Sequence, residues 1–176
     1  MLELGEVCAA AGMMRVLRSV ARLSVGTRAS AHRAIKMPVE LVDRLRRERL
    51  WRAREMMDKQ GLGALVLFVG ENVRYVTGVY QGNWKNNIFI RYAVLPRGGE
   101  PILFETAGSD LVCAKMDLPW MEGRIRPAIT WRWSEGAVEY MVDRMVDSVL
   151  EVLREHKVEK EKIGIDSLDM ASLAAF

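Results

Sequence analysis

The stretch from Gly63 to Glu105 constrains the fold of this chain more than any other segment. It begins with Ala64 to Val69, a continuous apolar run between glycines, which is typical of a strand buried on both faces. Ile88 to Leu95 and Pro101 to Phe104 are predicted to form a β-hairpin, because the residues between them are rich in turn formers. The stretch therefore favours a sheet as the centre of the domain.

Helical patterns surround these strands. Val39 to Gln60 reads as an amphipathic helix that Gly61 ends. Asn72 is predicted to cap a short helix that buries Val73 and Val76, and that helix ends at Gly78. Helices leading into and out of buried strands indicate a layered α/β domain.

The second half of the chain continues the alternation. We predict a short helix from Ser109 to Met116 and a strand from Arg124 to Thr130, in which Pro127 indicates either an edge position or a bulge. Ser134 is the predicted cap of a long helix, which has an apolar stripe at spacings of three and four residues. The stripe consists of Val138, Met141, Val142, Met145, Val149 and Leu153. Lys162 to Asp166 then predicts a last strand, and Ser167 begins a helix that the chain does not finish.

The net charge of +3 arises from the first residues of the chain. Between Val7 and Pro38 there is no acidic residue, whereas the remainder is nearly balanced, so the domain itself gives little reason to bind nucleic acid. Residues 1–37 are Arg-rich and resemble a mitochondrial transit peptide, the alternative being a disordered upstream extension. No apolar run reaches the roughly 20 residues that a membrane span needs. We expect a cytoplasmic protein that binds no membrane, or a mitochondrial one if the tail directs import.

The two cysteines, Cys8 and Cys113, form no disulfide framework and no metal-binding pair, and Cys113 is expected to be a small buried residue. The two histidines are interpreted as structural. His32 lies in the basic tail, and His156 lies near the end of the long helix, where a cation complements the helix dipole.

The run Asn72-Val73-Arg74-Tyr75-Val76-Thr77-Gly78, within this order of elements, resembles the N-terminal domain of the creatinase, prolidase and aminopeptidase P family over residues 38–176. The spacing from Trp84 to Arg91 is most similar to the branch with a dimethylsulfoniopropionate lyase. The resemblance implies a ribonuclease-H-like mixed β-sheet flanked by helices. It also implies that residues 38–176 are one domain, truncated at its C-terminal end.

The resemblance further implies a homodimer and a separate pita-bread catalytic domain. In the family that domain holds two divalent metal ions (Mn, Zn, Co or Fe) through two aspartates, a histidine and two glutamates. No such ligands are recognisable in this chain, so we expect it to contain no metal site and to be inactive alone.

The resemblance also assigns substrate-binding roles to the loop and strand after Gly78. The residues concerned are Tyr80, Asn83, Trp84, Asn86 and Arg91. An arginine suits a substrate carboxylate, and a tryptophan can close over an apolar or cationic group. The alternatives are that Trp84 covers an apolar edge and that Arg91 is a solvent-facing strand residue. Arg74 and Tyr75 are expected to pack the short helix on the sheet.

Two other functions stay open at this stage. A stand-alone peptide- or protein-binding module would use the same shape without a metal site. A two-metal nuclease site using Glu105 and Asp166 is disfavoured, because further ligands and a basic face are missing. There is no phosphate-binding loop or dinucleotide fingerprint.

Overall fold

The computed structural model describes residues 38–80, 89–132, 134–173 and 175. The chain divides into two compact units, residues 1–42 and residues 43–176. Of the first unit, the described part is Pro38 and the start of a helix, where the amides of Leu41 and Val42 bond to the Pro38 carbonyl.

The elements follow the predicted α/β alternation. The helices are α1 (Val39–Gln60), α2 (Gly70–Thr77), α3 (Ser109–Asp117), α4 (Val138–Glu155) and α5 (Met170–Leu173), with a 3₁₀ turn at Pro119–Met121. The strands are β1 (Ala64–Leu67), β2 (Tyr92–Pro96), β3 (Ile102–Glu105), β4 (Ile125–Pro127) and β5 (Ile163–Ile165).

The strands form one five-stranded mixed sheet in the order β4-β3-β2-β1-β5. β2 is antiparallel to both β1 and β3, whereas β4 runs parallel to β3 and β5 parallel to β1. The predicted hairpin is confirmed, and so is the edge position of the strand that ends at Pro127. Because β2 alone runs the other way, its first residue lies at the same edge of the sheet as the last residues of the other four strands.

Both faces of the sheet are covered, because alternate residues of each strand point to opposite sides. On one face, Tyr92, Val94 and Phe104 pack against the apolar stripe of α4, which includes Met145 and Val149. This confirms the predicted stripe. On the other face, the buried residues come from the sheet, α1, α2 and α3, and include Leu50, Met57, Val73, Ala93, Leu95, Leu103 and Ala114.

The predicted ends of several elements were wrong. β2 begins at Tyr92, because Phe89 to Arg91 do not join the ladder. The long helix begins after Ala137 and not at Ser134, whose hydroxyl donates to the Thr130 carbonyl instead. These bounds depend on tertiary hydrogen bonds that a local pattern does not reveal.

Two predicted helix starts are also corrected. α2 begins at Gly70, so Asn72 lies inside its first turn, and the N-cap position is Val69. The last helix begins at Met170, and Asp169 bonds its first turn by accepting from both the amide and the hydroxyl of Ser172. Gly78 ends α2 in the left-handed conformation, as predicted, with φ 76°.

Candidate functional site

The edge where β1, β3, β4 and β5 end is the candidate site. It lies beside Tyr80 and Phe89, the described residues on either side of 81–88. Asn83, Trp84 and Asn86 lie outside the described residues, so their predicted roles stay predictions. Tyr80 and Arg91 are both described, and the structure brings them together.

Arg91 forms an ion pair with Glu105 inside the protein. The register between β2 and β3 pairs Tyr92 with Phe104, and continuing it by one residue places Arg91 opposite Glu105. Arg91 Nε lies 2.7 Å from Glu105 Oε2, and the two side chains are 7% and 0% exposed. The alternative interpretation of Arg91 as a solvent-facing strand residue was therefore wrong.

The surroundings of Glu105 act on its pKa in opposite directions. Burial raises the pKa of the Glu105 carboxyl above its ordinary value of 4.5, because the charged form loses hydration. The Arg91 guanidinium and a hydrogen bond from the Thr106 amide, 2.8 Å long, oppose that rise. Glu105 is a residue of the candidate site that the sequence pattern did not assign to it. Counting the hairpin register outward from its turn would have found it.

Arg91 also connects the two described segments on either side of residues 81–88. Its Nη1 donates to the Tyr80 carbonyl over 2.9 Å. The Tyr80 side chain itself is 61% exposed. The Arg91 side chain thus links the end of the α2 connection to the start of β2, and it leaves the Tyr80 ring accessible at the surface.

Asp166 lies at the same edge of the sheet but stabilises the backbone. Its carboxylate accepts from the amides of Phe68 and Val69 over 2.8 and 3.1 Å, and from Asn72 Nδ2 over 3.0 Å. Asp166 therefore provides the polar contact at the start of α2 that had been predicted for Asn72. A carboxylate is favourable there because the helix dipole is positive at its N-terminus.

Arg91, Glu105 and Asp166 at this edge all bond to other groups of the protein. Among the described residues, no group of three or more His, Cys, Asp or Glu side chains is placed to hold a metal ion. His156 Nδ1 lies 2.9 Å from the Val152 carbonyl at the end of α4, in agreement with its structural interpretation. In the part of the chain that the structure describes, no helix is both long and apolar enough to cross a membrane.

Three minor predictions near the site are corrected. Arg74 and Tyr75 do not pack α2 on the sheet, since both are exposed and Val73 and Val76 do so instead. Arg49 of α1 lies over the Tyr75 ring, 5.7 Å from its centroid. Cys113 is half-buried on α3 and not fully buried, because its neighbour Ala114 takes the core position.

Comparison with known families decides the affiliation of the chain. The family model of the Creatinase/Prolidase N-terminal domain matches residues 49–174. The chain belongs to this family. The match includes all five strands and most of α1, so the mixed sheet flanked by helices is the fold of a creatinase/prolidase N-terminal domain.

A comparison with curated proteins gave no match. The creatinase/prolidase assignment therefore identifies the domain without naming a substrate. The Arg91–Glu105 pair, the Tyr80 carbonyl and the Asp166 cap all lie within the matched residues.

Proposed function

We propose that this chain is the non-catalytic N-terminal domain of a metal-dependent hydrolase of the creatinase and Xaa-Pro peptidase kind. In this proposal it contributes dimer contacts and substrate-pocket residues to a catalytic domain that holds two divalent metal ions (Mn, Zn, Co or Fe). The chain alone does not turn over substrate. Membership of the creatinase/prolidase N-terminal domain family supports the proposal.

The Arg91–Glu105 pair is the observation that carries the pocket role. A buried ion pair is weak grounds for stability, because the desolvation of two charges offsets most of their attraction. Arg91 is nevertheless held at the edge of the sheet, where it binds the backbone carbonyl of Tyr80, a residue with an exposed side chain. A role in positioning groups at a site explains its location better than a contribution to folding does.

The chemistry of Arg91 suits a substrate with a carboxylate. Glu105 is a carboxylate that already contacts Arg91 Nε over 2.7 Å, so a substrate carboxylate would bind through the terminal nitrogens of the guanidinium. A guanidinium carries five N–H donors in a planar fork, which allows it to bind more than one oxygen ligand. We propose that Arg91 binds the substrate carboxylate. The adjoining wall of the substrate pocket would consist of Tyr80, Asn83, Trp84 and Asn86.

The preferred substrate class is an Xaa-Pro peptide, which ends in a carboxylate. Small amidino or guanidino acids and a sulfonium acid, as in a dimethylsulfoniopropionate lyase, are the alternatives. Trp84 would suit a sulfonium group through a cation–π contact. A stand-alone peptide- or protein-binding module is the alternative without catalysis.

The decisive experiment uses the full-length protein that carries this chain. Trp84→Ala and Arg91→Ala are expected to weaken substrate binding or turnover while metal content and fold remain intact. Trp51→Ala is the matched control, because Trp51 is 60% exposed on α1 and belongs to another surface. If Trp84→Ala and Arg91→Ala both retain wild-type kinetics on the true substrate, the pocket assignment is refuted.

Two further parts of the proposal can be tested directly, namely the catalytic domain and the homodimer. An open reading frame that continues past Phe176 with metal-binding aspartates, a histidine and glutamates would support the hydrolase, and a stop codon would favour the binding module. Sedimentation of the full-length protein tests the proposed homodimer. Sustained turnover by the pure 176-residue chain with any divalent ion would contradict the incomplete-enzyme proposal.

The proposed location is the cytoplasm, with mitochondria as the alternative. The Arg-rich composition of residues 1–37 supports import. Microscopy of a tagged protein with and without these residues distinguishes the two locations, since only a targeting segment would change the distribution when deleted.

A further inference from the structure

The residues just before β2 are held by side chains instead of a strand ladder. Phe89 and Ile90 are buried, so their carbonyls need hydrogen-bond partners within the protein. The Phe89 carbonyl accepts from Thr130 Oγ1 over 3.1 Å, and the Ile90 carbonyl accepts from Thr106 Oγ1 over 2.9 Å. Arg91 then reaches back to the Tyr80 carbonyl. The path of the chain is therefore set by side chains from separate elements.

Phe89 adopts a backbone conformation that is unfavourable for its residue type. Its φ is 71°, in the left-handed region where a residue with a Cβ is strained by about 1–2 kcal/mol. The ring is buried against Phe68 and Trp131, with centroids 5.4 and 5.3 Å away. Such strain persists where the surroundings over-determine the conformation, and it is concentrated at functional sites.

Glu105 connects these features. Its Oε2 contacts Arg91, and its Oε1 accepts from the amide of Thr106, whose hydroxyl donates to Ile90. Replacement of such a pair by apolar residues is often neutral or stabilising, so stability alone does not account for a buried carboxylate here. What Glu105 does determine is the orientation of Arg91, and through it the position of Tyr80 relative to β2.

We infer that Glu105, assisted by Thr106, is a positioning residue for the substrate side of this domain. It fixes the Arg91 guanidinium and thereby the separation between the Tyr80 backbone and the start of β2. The inference rests on the proposed function, because it assigns the pocket role of Arg91 to a geometry that Glu105 imposes. Glu105, Arg91, Thr106 and the carbonyls of Tyr80 and Ile90 together form the Glu105 brace.

The first measurement is hydrogen–deuterium exchange on the full 176-residue chain. Glu105→Gln keeps the shape and an acceptor but removes the charge, and Thr106→Val removes the hydroxyl alone, a milder change. Both are expected to speed exchange in peptides covering residues 89–95 by about tenfold relative to peptides from α4. Thr106→Val keeps the test valid if Glu105→Gln does not fold.

Met57→Ala is the matched control. Met57 is 1% exposed on α1 and lies outside both strands of the hairpin, whereas a β3 residue such as Leu103 pairs directly with β2. Its loss should lower stability without a selective effect on residues 89–95. If the Glu105 and Thr106 variants show the same exchange pattern as Met57→Ala, the inference is overturned and the proposed function is unaffected.

The second measurement is steady-state kinetics of the full-length protein with Ala-Pro as the probe. Glu105→Gln or Thr106→Val is expected to raise KM by about tenfold with kcat nearly unchanged, since a misplaced guanidinium weakens binding and leaves the metal chemistry intact. A purely structural defect would lower the active fraction, and so kcat, at constant KM. Unchanged kinetics would overturn the inference.

The Trp84→Ala variant distinguishes a failure of the positioning role from a failure of the proposed function. If the brace variants retain wild-type kinetics while Trp84→Ala weakens binding, only the positioning role is wrong. If Trp84→Ala and Arg91→Ala retain them as well, the proposed function itself fails.

Discussion

Glu105 lies opposite Arg91 across the β2–β3 pair, with Oε2 2.7 Å from Nε and both side chains closed off from solvent. The pair unites the last residue of β3 with the residue before β2. It therefore joins the two strands at the end of the hairpin that lies farthest from the turn. The contribution of this ion pair to the free energy of unfolding can be tested by substitution.

Removal of one charge should destabilise the protein far more than removal of both. Glu105→Ala leaves Arg91 buried without its counter-charge, which is expected to lower the free energy of unfolding by about 3–5 kcal/mol. The double variant Arg91→Met with Glu105→Leu should recover most of that loss, because no charge is then buried. Urea denaturation measures both, and equal losses in the single and double variants would contradict the ion-pair account.

Asp166 is expected to matter more than its partner Asn72. Asp166→Ala leaves the amides of the buried Phe68 and the half-buried Val69 without this acceptor, so the free energy of unfolding should fall by about 2–3 kcal/mol. Asn72→Ala removes one exposed hydrogen bond and should cost under about 1 kcal/mol. Thermal and urea unfolding of the two variants give the comparison, and a larger loss from Asn72→Ala would show that the cap had been assigned to the wrong side chain.

Stability at acid pH should depend on Asp169. Burial raises the pKa of the Asp169 carboxyl, but hydrogen bonds from Ser172 and Trp131 more than offset this, and the net pKa lies below its ordinary value of 3.8. A carboxyl with a lowered pKa in the folded protein stabilises it above pH 3.8, and that contribution disappears as the pH falls through the folded value. Asp169→Asn should therefore be less stable than wild type at neutral pH, and the difference should shrink below pH 3.8.

The control for this prediction is Asp143→Asn, which changes an exposed carboxyl on α4. It measures the effect of the same Asp→Asn change at an exposed position over the same pH range. Urea midpoints collected from neutral pH to about pH 2.5 test both variants against the ordinary carboxyl range. A constant difference between wild type and Asp169→Asn would exclude a linked protonation of Asp169.

The strain at Phe89 predicts an inverted order of two substitutions. Glycine normally destabilises a buried position relative to alanine, but at φ 71° glycine is relaxed and alanine is strained. Both variants lose the ring contacts with Phe68 and Trp131, so Phe89→Gly should exceed Phe89→Ala in stability by about 1 kcal/mol.

Phe104 provides the reference for this comparison. It is also buried, lies within β3 and stacks on Tyr92 with centroids 4.5 Å apart. Phe104→Gly should be less stable than Phe104→Ala, the ordinary order in a strand. Differential scanning calorimetry of the four proteins suffices, and the same order at both positions would show that Phe89 carries no backbone strain.

The elements themselves were largely predictable from local patterns. The continuous apolar run after Gly63 predicted β1, turn residues predicted the hairpin, and the stripe containing Met145 and Val149 predicted α4. Each depends on burial periodicity or turn chemistry within a short segment. The pattern around Asn72 to Gly78 also indicated the family to which the domain belongs.

Where the prediction was wrong, a distant residue satisfies a polar group. Asn72 looked like a cap, but Asp166, far along the chain, accepts the amides of Phe68 and Val69. Ser134 looked like a helix start, yet its hydroxyl bonds the Thr130 carbonyl. A local pattern contains the donor or acceptor but not its partner, so it cannot decide between the possible bonds.

The sequence by itself determined the α/β class, the hairpin, the apolar faces and the family, because these follow from spacings within single elements. Only the tertiary structure decided that Arg91 is buried against Glu105 and bonded to the Tyr80 carbonyl, and that Phe89 is held in a left-handed conformation. The physical reason is that the energy of a buried charge or carbonyl depends on what surrounds it in three dimensions. At the edge of this sheet those surroundings come from Thr106, Thr130 and Glu105, none of which is next to Arg91 in the chain.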